Sequence, residues 1–415
     1  MIALLILVLC FVVLVILGAL EAIRNRKNVR RLAIRVNVNG IRGKSTVTRL
    51  ITSILHEARY PTVGKTTGTA ARLIIPALGR EESIERKPEG ANIKEQMNTI
   101  RMAVRNKAKA LVCECMAVRP EYQDVYQNQM FMANVTVIVN VLEDHLDVMG
   151  PTLGEIALAF SRTIPYHGYL IVTQSPYTEF FAQVAQERDT KIFVADNSKI
   201  PAGYLERFEY VLFPDNVALG LAFAEALYIN REIALRGMLK AAPDPGALRI
   251  SRLDENNWRG AVFVNAFAAN EPESSLKIWE KIQEMDDLPL ANPIVIFNGR
   301  PDRVDRTYQF VKDFFPHLHD VTLIGMGQSI RPIRQAMNKG RFPGVLEYLH
   351  LENTAPQEIA ATLHKIAANR LLLGVGNIHG DAELLIEYLY EQTQEETATN
   401  QFIREQGNNA APIGA

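Results

Sequence analysis

The chain has 415 residues, 48% of them hydrophobic and 22% charged, and its 45 basic and 46 acidic side chains leave a formal charge of −1. At roughly 100–200 residues per domain this length predicts two or three domains, and the composition excludes a disordered chain. The charge balance disfavours a basic nucleic-acid binder, so no nucleic-acid partner is expected. Cys10 lies inside an apolar run and Cys113 and Cys115 form an isolated C-x-C, which supports neither a disulfide framework nor a structural zinc site.

The first element is IALLILVLCFVVLVILGAL, 19 residues from Ile2 to Leu20 without a charge, close to the ~20 that cross a bilayer as a helix. No basic residue precedes it, whereas Arg24, Arg26, Lys27, Arg30, Arg31 and Arg35 follow. That order is the reverse of a cleaved signal peptide. The excess of cations behind the run keeps the remainder on the cytoplasmic side. We therefore expect a single-pass transmembrane anchor over 1–20 and a basic juxtamembrane segment over 21–31.

From residue 32 onward short β-rich runs alternate with helical patterns: LAIRVNVN, KALVCE, VTVIVN, YLIVT, KIFVA and EYVLF. Such alternation predicts α/β units around a mainly parallel sheet. The cluster A-A-P-D-P-G-A at 241–247 interrupts it and marks a domain boundary. Beyond it AVFVNA, PIVIFN, VTLIG and LLLGVGN open a second α/β series. The expected domains are 32–243 and 244–391, followed by a loosely ordered polar tail over 392–415.

Between the first strand and a helix marked by Val47, Leu50, Ile51, Ile54 and Leu55 stands Asn39-Gly40-Ile41-Arg42-Gly43-Lys44-Ser45-Thr46. Glycines turn backbone N–H groups toward an anion, Lys44 neutralises phosphate charge, Ser45 offers a hydroxyl to Mg²⁺, and the helix N-terminus adds its dipole. The string is a shortened G-x-x-G-K-S variant of the phosphate loop, because Val38 occupies the first glycine position of the strict pattern. A second string, Gly64-Lys65-Thr66-Thr67-Gly68-Thr69, reads as a loop near the phosphates or the acceptor, or as an ordinary β-turn. Thr66 and Thr67 are candidate substrate contacts there.

KALVC ends at Glu114, and VTVIVN leads from Asn140 into Glu143-Asp144-His145-Leu146-Asp147. Ligands of open α/β sheets gather at the carboxyl ends of strands, so these groups converge on the phosphate-loop edge. There they match the oxygen-rich environment that Mg²⁺ and a nucleoside triphosphate require.

The succession N-G-x-x-G-K-S-T, strand-terminal glutamate, N-x-x-x-D-H-x-D resembles the ATP-binding domain of the Mur ligases and folylpolyglutamate synthetases. Behind the transmembrane helix read above, the resemblance implies a Mur-ligase-like P-loop ATPase domain with a mainly parallel sheet and a C-terminal Rossmann-like α/β domain. It implies that Gly40, Arg42, Gly43, Lys44, Ser45 and Thr46 bind ATP, and that Ser45, Glu114 and His145 hold Mg²⁺. Lys44, Glu114, His145 and Arg303 become the catalytic candidates. Asp215-Asn216 resembles the family's adenine-side helix, although Ala218 and Leu219 replace its second asparagine, and Arg249 resembles an arginine that opens the C-terminal domain.

Phe267-Ala268-Ala269-Asn270 with Glu271 to Leu276 resembles the family's Y-A-H-N-P-x-S segment, giving Asn270 and Ser275 as substrate contacts. Gly299 to Arg306 resembles its G-x-R-D-x-D-K-R loop, where Arg300, Arg303 and Arg306 would clamp carboxylates bidentately. No carbamylated lysine is identifiable. Only the anchor and a short segment precede the ATPase strand, which argues against a nucleotide-linked precursor.

Within this family, E-C-M-A-V, N-V-L-E-D-H-L-D-V-M-G-P-T and G-V-G-N-I-H-G resemble the ligase subunits of poly-γ-glutamate synthases over nearly the full chain. That resemblance implies an ADP-forming acid–amino acid ligase acting on glutamate and poly-γ-glutamate, with small membrane subunits as partners. A homo-oligomer stays open. So do a membrane-tethered P-loop ATPase for export or switching, and a related ligase for another amino acid.

Overall fold

The computed structural model describes residues 2–67, 71–84, 94–144, 146–208, 210, 212–244, 248–254, 258–269, 271–285 and 287–391. They divide into two compact units, one of Met1–Ala202 with Phe213–Asp244, the other of Gly203–Leu212 with Pro245–Ala415.

The first unit begins with α1 (Ile2–Val29). The helix does not stop at Leu20. It continues through the basic segment expected to be separate, because Glu21 to Val29 contain neither Gly nor Pro and Arg26 and Lys27 in the last turn favour the negative helix terminus. Its apolar portion has a mean hydropathy of 3.1 and is not buried, so it is long and apolar enough to cross a membrane.

The sheet of this unit contains β1 (Ile34–Asn39), β2 (Thr62–Thr66), β3 (Arg72–Ile75), β4 (Arg80–Ser83), β5 (Ala110–Glu114), β6 (Val135–Ile138), β7 (Tyr169–Val172) and β8 (Lys191–Val194). Their order is β4-β3-β2-β5-β1-β6-β7-β8. β1 lies parallel between β5 and β6, with Val36 opposite both Val112 and Val135. The β2–β3 and β3–β4 pairs run antiparallel, and the other described pairs of this sheet are parallel.

The helices are α2 (Lys44–Glu57), α3 (Lys94–Arg105), α4 (Pro120–Val125), which runs on as a π-helical turn, α5 (Leu146–Met149), α6 (Leu153–Ser161), α7 (Thr178–Glu187), α8 (Pro214–Ala226) and α9 (Arg231–Leu239). Ile100 and Ala103 of α3 pack with Val29 of α1, Leu111 and Phe131. Phe160 of α6 and Phe181 of α7 pack with Ile138 and Val172. Buried Arg49 of α2 forks onto both carboxylate oxygens of Glu81 and lies 3.5 Å from Asp244, fastening the hairpin and the end of this unit to the helix.

Two sequence readings are corrected. Gly64-Lys65-Thr66 is a fully buried interior strand, β2, not a loop. A Cβ on Gly64 would lie 2.4 Å from Thr52 Oγ1, so the glycine serves close approach of α2 to the strand. Of EYVLF, expected to be a strand, the described residues Tyr210, Leu212 and Phe213 are assigned to no strand, and Pro214 opens α8. Tyr204, Phe208 and Tyr210 instead pack edge to face at 5.4 and 5.7 Å.

The second unit contains β9 (Arg249–Arg252), β10 (Val262–Asn265), β11 (Ile294–Gly299), β12 (Val321–Gly327), β13 (Val345–Glu352) and β14 (Leu371–Gly376), ordered β13-β12-β11-β14-β10-β9. All pairs are parallel except β10 with β9. Helices α10 (Pro272–Gln283), α11 (Val304–Asp313) and α12 (Arg331–Asn338) cover one face, where Trp279, Phe310 and Ile333 share a core with Phe297. α13 (Pro356–Ile366) and α14 (Asp381–Glu391) supply Leu363 and Leu385 to the core of the other.

Phe310 is fully buried, 5.0 Å from Phe297 and 5.4 Å from Phe314 between ring centres. Phe310→Ala should therefore destabilise this unit by about 3–5 kcal/mol. Hydrogen exchange on the full chain should show faster opening of β11 and β12 than in the parent, with β1 and β6 unchanged.

Candidate active site

β1 delivers Asn39 to the carboxyl edge of the first sheet, where its Oδ1 accepts from Gly40 N at 2.9 Å and its Nδ2 donates to Gln123 at 2.9 Å. Gly40 then takes φ +124°, and a Cβ there would stand 3.0 Å from the backbone nitrogens of Val139 and Asn140. The loop is laced to the end of β6 by Asn140, whose Oδ1 accepts from Ile41 N and Arg42 N at 3.1 and 3.0 Å while its Nδ2 donates to Arg42 O at 3.0 Å. Gly43, at φ +80°, sits where a Cβ would meet Asn216 Oδ1 at 2.9 Å. Asn216 of α8 is thus brought against the phosphate loop.

α2 starts at Lys44, with Ser45 and Thr46 in its first turn. Lys44 Nζ donates to the carbonyls of Gly40 and Ile41, each at 2.9 Å. Burial holds this ammonium below the ordinary lysine range, Glu114 pulls it back up, and Arg42 adds to the depression. Arg42 itself lies 3.6 Å from Asp144.

Glu114, buried at the end of β5, joins the loop to the neighbouring strand. Its Oε2 accepts from Ser45 Oγ at 2.8 Å and from Thr67 N at 2.7 Å, and its backbone carbonyl accepts from Gln96 Nε2 of α3 at 3.3 Å. The Thr66 hydroxyl is buried without a hydrogen-bond partner among the described residues. Lys65, also fully buried, pairs with Glu95 at 2.6 Å. His145 lies outside the described residues, and among those described no three His, Cys, Asp or Glu gather to hold a metal. Ser45 and Glu114 are therefore the metal candidates that the structure brings together.

The remaining candidates belong to the second unit, at the carboxyl ends of β10, β11 and β14. Arg249 opens β9 opposite Asn265, the last residue of β10. Buried Ser275 donates to Ala269 O at 2.7 Å and so fixes the turn that follows β10. Asn270 lies outside the described residues. Arg300 forks onto Asp302 at 3.0 and 2.9 Å. Arg303 is exposed at the start of α11, and Arg306 donates to Asn377 Oδ1.

Asn140, the Lys65–Glu95 pair and Asn377 were not among the candidates from sequence. Asn140 carried a signal, an amide placed just beyond the strand next to the loop strand. The other partners are brought together only by folding.

Residues 38–222 match the sequence profile of the Mur ligase middle domain, and residues 250–392 match that of the poly-gamma-glutamate synthase CapB C-terminal domain. The capsule biosynthesis protein CapB of Bacillus anthracis is 52% identical over 92% of this chain and 82% of its own length. The PGA synthase CapB of Bacillus subtilis (strain 168) is 53% identical over 93% of this chain and 98% of its own. This chain belongs to the CapB family. The CapB-family chain also shares its fold with the bifunctional folylpolyglutamate synthase/dihydrofolate synthase of Yersinia pestis, crystallised with AMPPNP and Mn. That likeness has a TM-score of 0.62 and 11% identity, covering 89% of this chain and 92% of that one.

Asn140→Ala removes three hydrogen bonds that hold the loop of this CapB-family protein. At about 1 kcal/mol each, partly recovered by water, the loss should weaken ATP binding roughly tenfold or more. Titration of the full chain with a fluorescent ATP analogue tests this, with circular dichroism confirming an intact fold.

Proposed function

We propose that the chain is the ATP-dependent amide ligase of poly-γ-glutamate synthesis, with the 40–46 loop and Glu114 binding and activating ATP. The observation that carries this reading is the junction at Glu114, where one buried carboxylate takes the loop serine and the N–H of Thr67 together. It places a hard oxygen pair beside a lysine and the N-terminus of α2, which suits a triphosphate.

Ser45 and Glu114 fit Mg²⁺, which takes one or two protein oxygens and completes its shell with phosphates and water; His145 joins them on the family resemblance. When bound, the ion neutralises phosphate charge. Lys44 exchanges the carbonyls of Gly40 and Ile41 for phosphate oxygens, so its donors are aimed before ATP arrives. Gly40, Arg42, Gly43 and Thr46 complete the phosphate cradle, and Asn216 and Arg249 serve the nucleotide. Thr67, next to Glu114, serves the acceptor, whereas the expected contact Thr66 is buried in β2 and offers it no surface. Asn270, Arg300, Arg303 and Arg306 serve the anionic substrates, and Ser275, buried with its hydroxyl on Ala269 O, holds the turn after β10.

In the reaction a terminal γ-carboxylate oxygen of the acceptor attacks the γ-phosphorus and ADP leaves, forming an acyl phosphate. The amine of incoming glutamate attacks that carbonyl and loses a proton. Collapse of the tetrahedral intermediate expels phosphate and leaves the new amide. The residues named contribute positioning and charge stabilisation. We place α1 in the membrane with both units on the cytoplasmic side. One helix cannot enclose a pore, so small membrane subunits would carry the polymer.

Lys44→Ala should lower turnover by about 10²-fold or more with the fold intact. Membranes carrying each form are assayed with ATP and Mg²⁺, with and without glutamate, for nucleotide products and γ-linked polymer. The parent should make ADP, phosphate and polymer only with glutamate. Equal ADP without glutamate would identify a motor or switch, and AMP with pyrophosphate would overturn the acyl-phosphate route.

A further inference from the structure

A cleft of about 530 Å³ opens between α1 and α3, lined along α1 by Leu17, Leu20, Glu21, Ile23, Arg24 and Lys27 and from α3 by Met97 and Arg101. It belongs to no part of the site described above. α1 is seated beside it by Asn25, whose side chain donates to Met130 O at 2.7 Å, and by buried Val29.

Leu17, Leu20, Arg24 and Lys27 recur at helical spacing, so an apolar stripe passes directly into a cationic one. Arg24 and Lys27 are exposed, and neither they nor Arg101 have an ion-pair partner among the described residues; Arg101 donates to Asn98 Oδ1 at 3.2 Å. Glu21 is the one carboxylate in the lining. From Leu20 to Lys27 the helix rises about 10 Å, close to the depth of one headgroup layer outside a ~30 Å hydrocarbon core.

We infer that this cleft binds an anionic phospholipid, its phosphate between Arg24, Lys27 and Arg101 and its acyl chains along Leu17, Leu20 and Ile23. The inference rests on the membrane placement of α1. A soluble polyanion such as poly-γ-glutamate fits less well, because it would leave the leucines and Ile23 uncovered. The bound lipid would also reach the catalytic edge: Met97 in the lining adjoins Gln96, whose amide donates to the carbonyl of Glu114. A lipid clamped between α1 and α3 would steady α3 and, through it, the end of β5. Glutamate-dependent turnover would then rise with anionic lipid.

The full chain is tested by flotation with vesicles of phosphatidylcholine and phosphatidylglycerol, and by native mass spectrometry of the lipid retained after detergent extraction. Turnover is measured in nanodiscs of phosphatidylcholine with and without phosphatidylglycerol. We expect phosphatidylglycerol to be retained and to raise turnover. R24A, K27A and R101A should each weaken retention about fivefold and blunt the stimulation, whereas a double R30A/R31A change, beyond the cleft, should leave both intact. Equal loss in the double variant would overturn the site in favour of general surface charge, and so would full retention in R101A. Displacement of lipid by soluble poly-γ-glutamate would assign the cleft to the polymer and overturn the lipid. Failure to float would refute the membrane placement itself, whereas a protein that floats but retains no phosphatidylglycerol refutes only the cleft.

Discussion

The carboxylate of Glu114 organises the first unit. A carboxylate that is 3% exposed is costly unless hydrogen bonds replace its water, and here the Ser45 hydroxyl and the Thr67 N–H do so from opposite sides. β5 lies between β1 and β2, so the same oxygen fixes both the helix that follows the phosphate loop and the end of the neighbouring strand. The loop needs this external reference. Its two positive-φ glycines cannot hold a shape by themselves, and Asn140 supplies the second support from the other flank. Groups fixed in this way need little reorganisation when charge develops on phosphate, the condition under which hydrogen-bond donors contribute most to catalysis.

Much of this edge was legible in the sequence. β1, the glycine turn and α2 could be read because each obeys a local rule: alternating apolar and polar residue types, residues that permit positive φ, and apolar residues at helical spacing. The end of β5 at Glu114 could be read for the same reason. β2 could not, because a lysine in a Gly/Thr-rich string looks solvated until Glu95, thirty positions away, arrives to neutralise it. EYVLF misled in the opposite sense. Tyr210 has strand propensity but packs edge to face on Phe208, ahead of a proline-initiated helix. Asn140 is the most instructive case, because its residue type and place were visible while its three bonds to the loop depended on how the strand ends sit side by side.

In the second unit, charge is held by local partners. Arg300 is forked by Asp302 two residues away, and Arg306 is taken up by Asn377. Asn377 in turn exchanges hydrogen bonds with Asn298, joining the ends of β11 and β14. Arg303 alone among these three arginines is exposed with no side-chain partner among the described residues. An anionic substrate would therefore meet one available guanidinium and two whose present partners it must share or replace. Such sharing aligns the arginines before binding and lowers the entropy lost when a carboxylate is gripped.

The helix that opens the chain poses a different physical problem. An apolar surface as long as that of α1, unburied along its span, is stable only where something other than water covers it. A bilayer meets that need, but a flexible connection would let the catalytic unit drift beneath it. No Gly or Pro occurs between Gly18 and Gly40, so the chain passes from the apolar segment into the ATPase sheet without a residue suited to a hinge. Asn25 and Val29 then fasten the same helix to the unit's own core. The phosphate loop is accordingly carried by a sheet held on a stiff stem. Movements of that stem would be felt at α3, and Gln96 on α3 is hydrogen-bonded to the strand that carries Glu114.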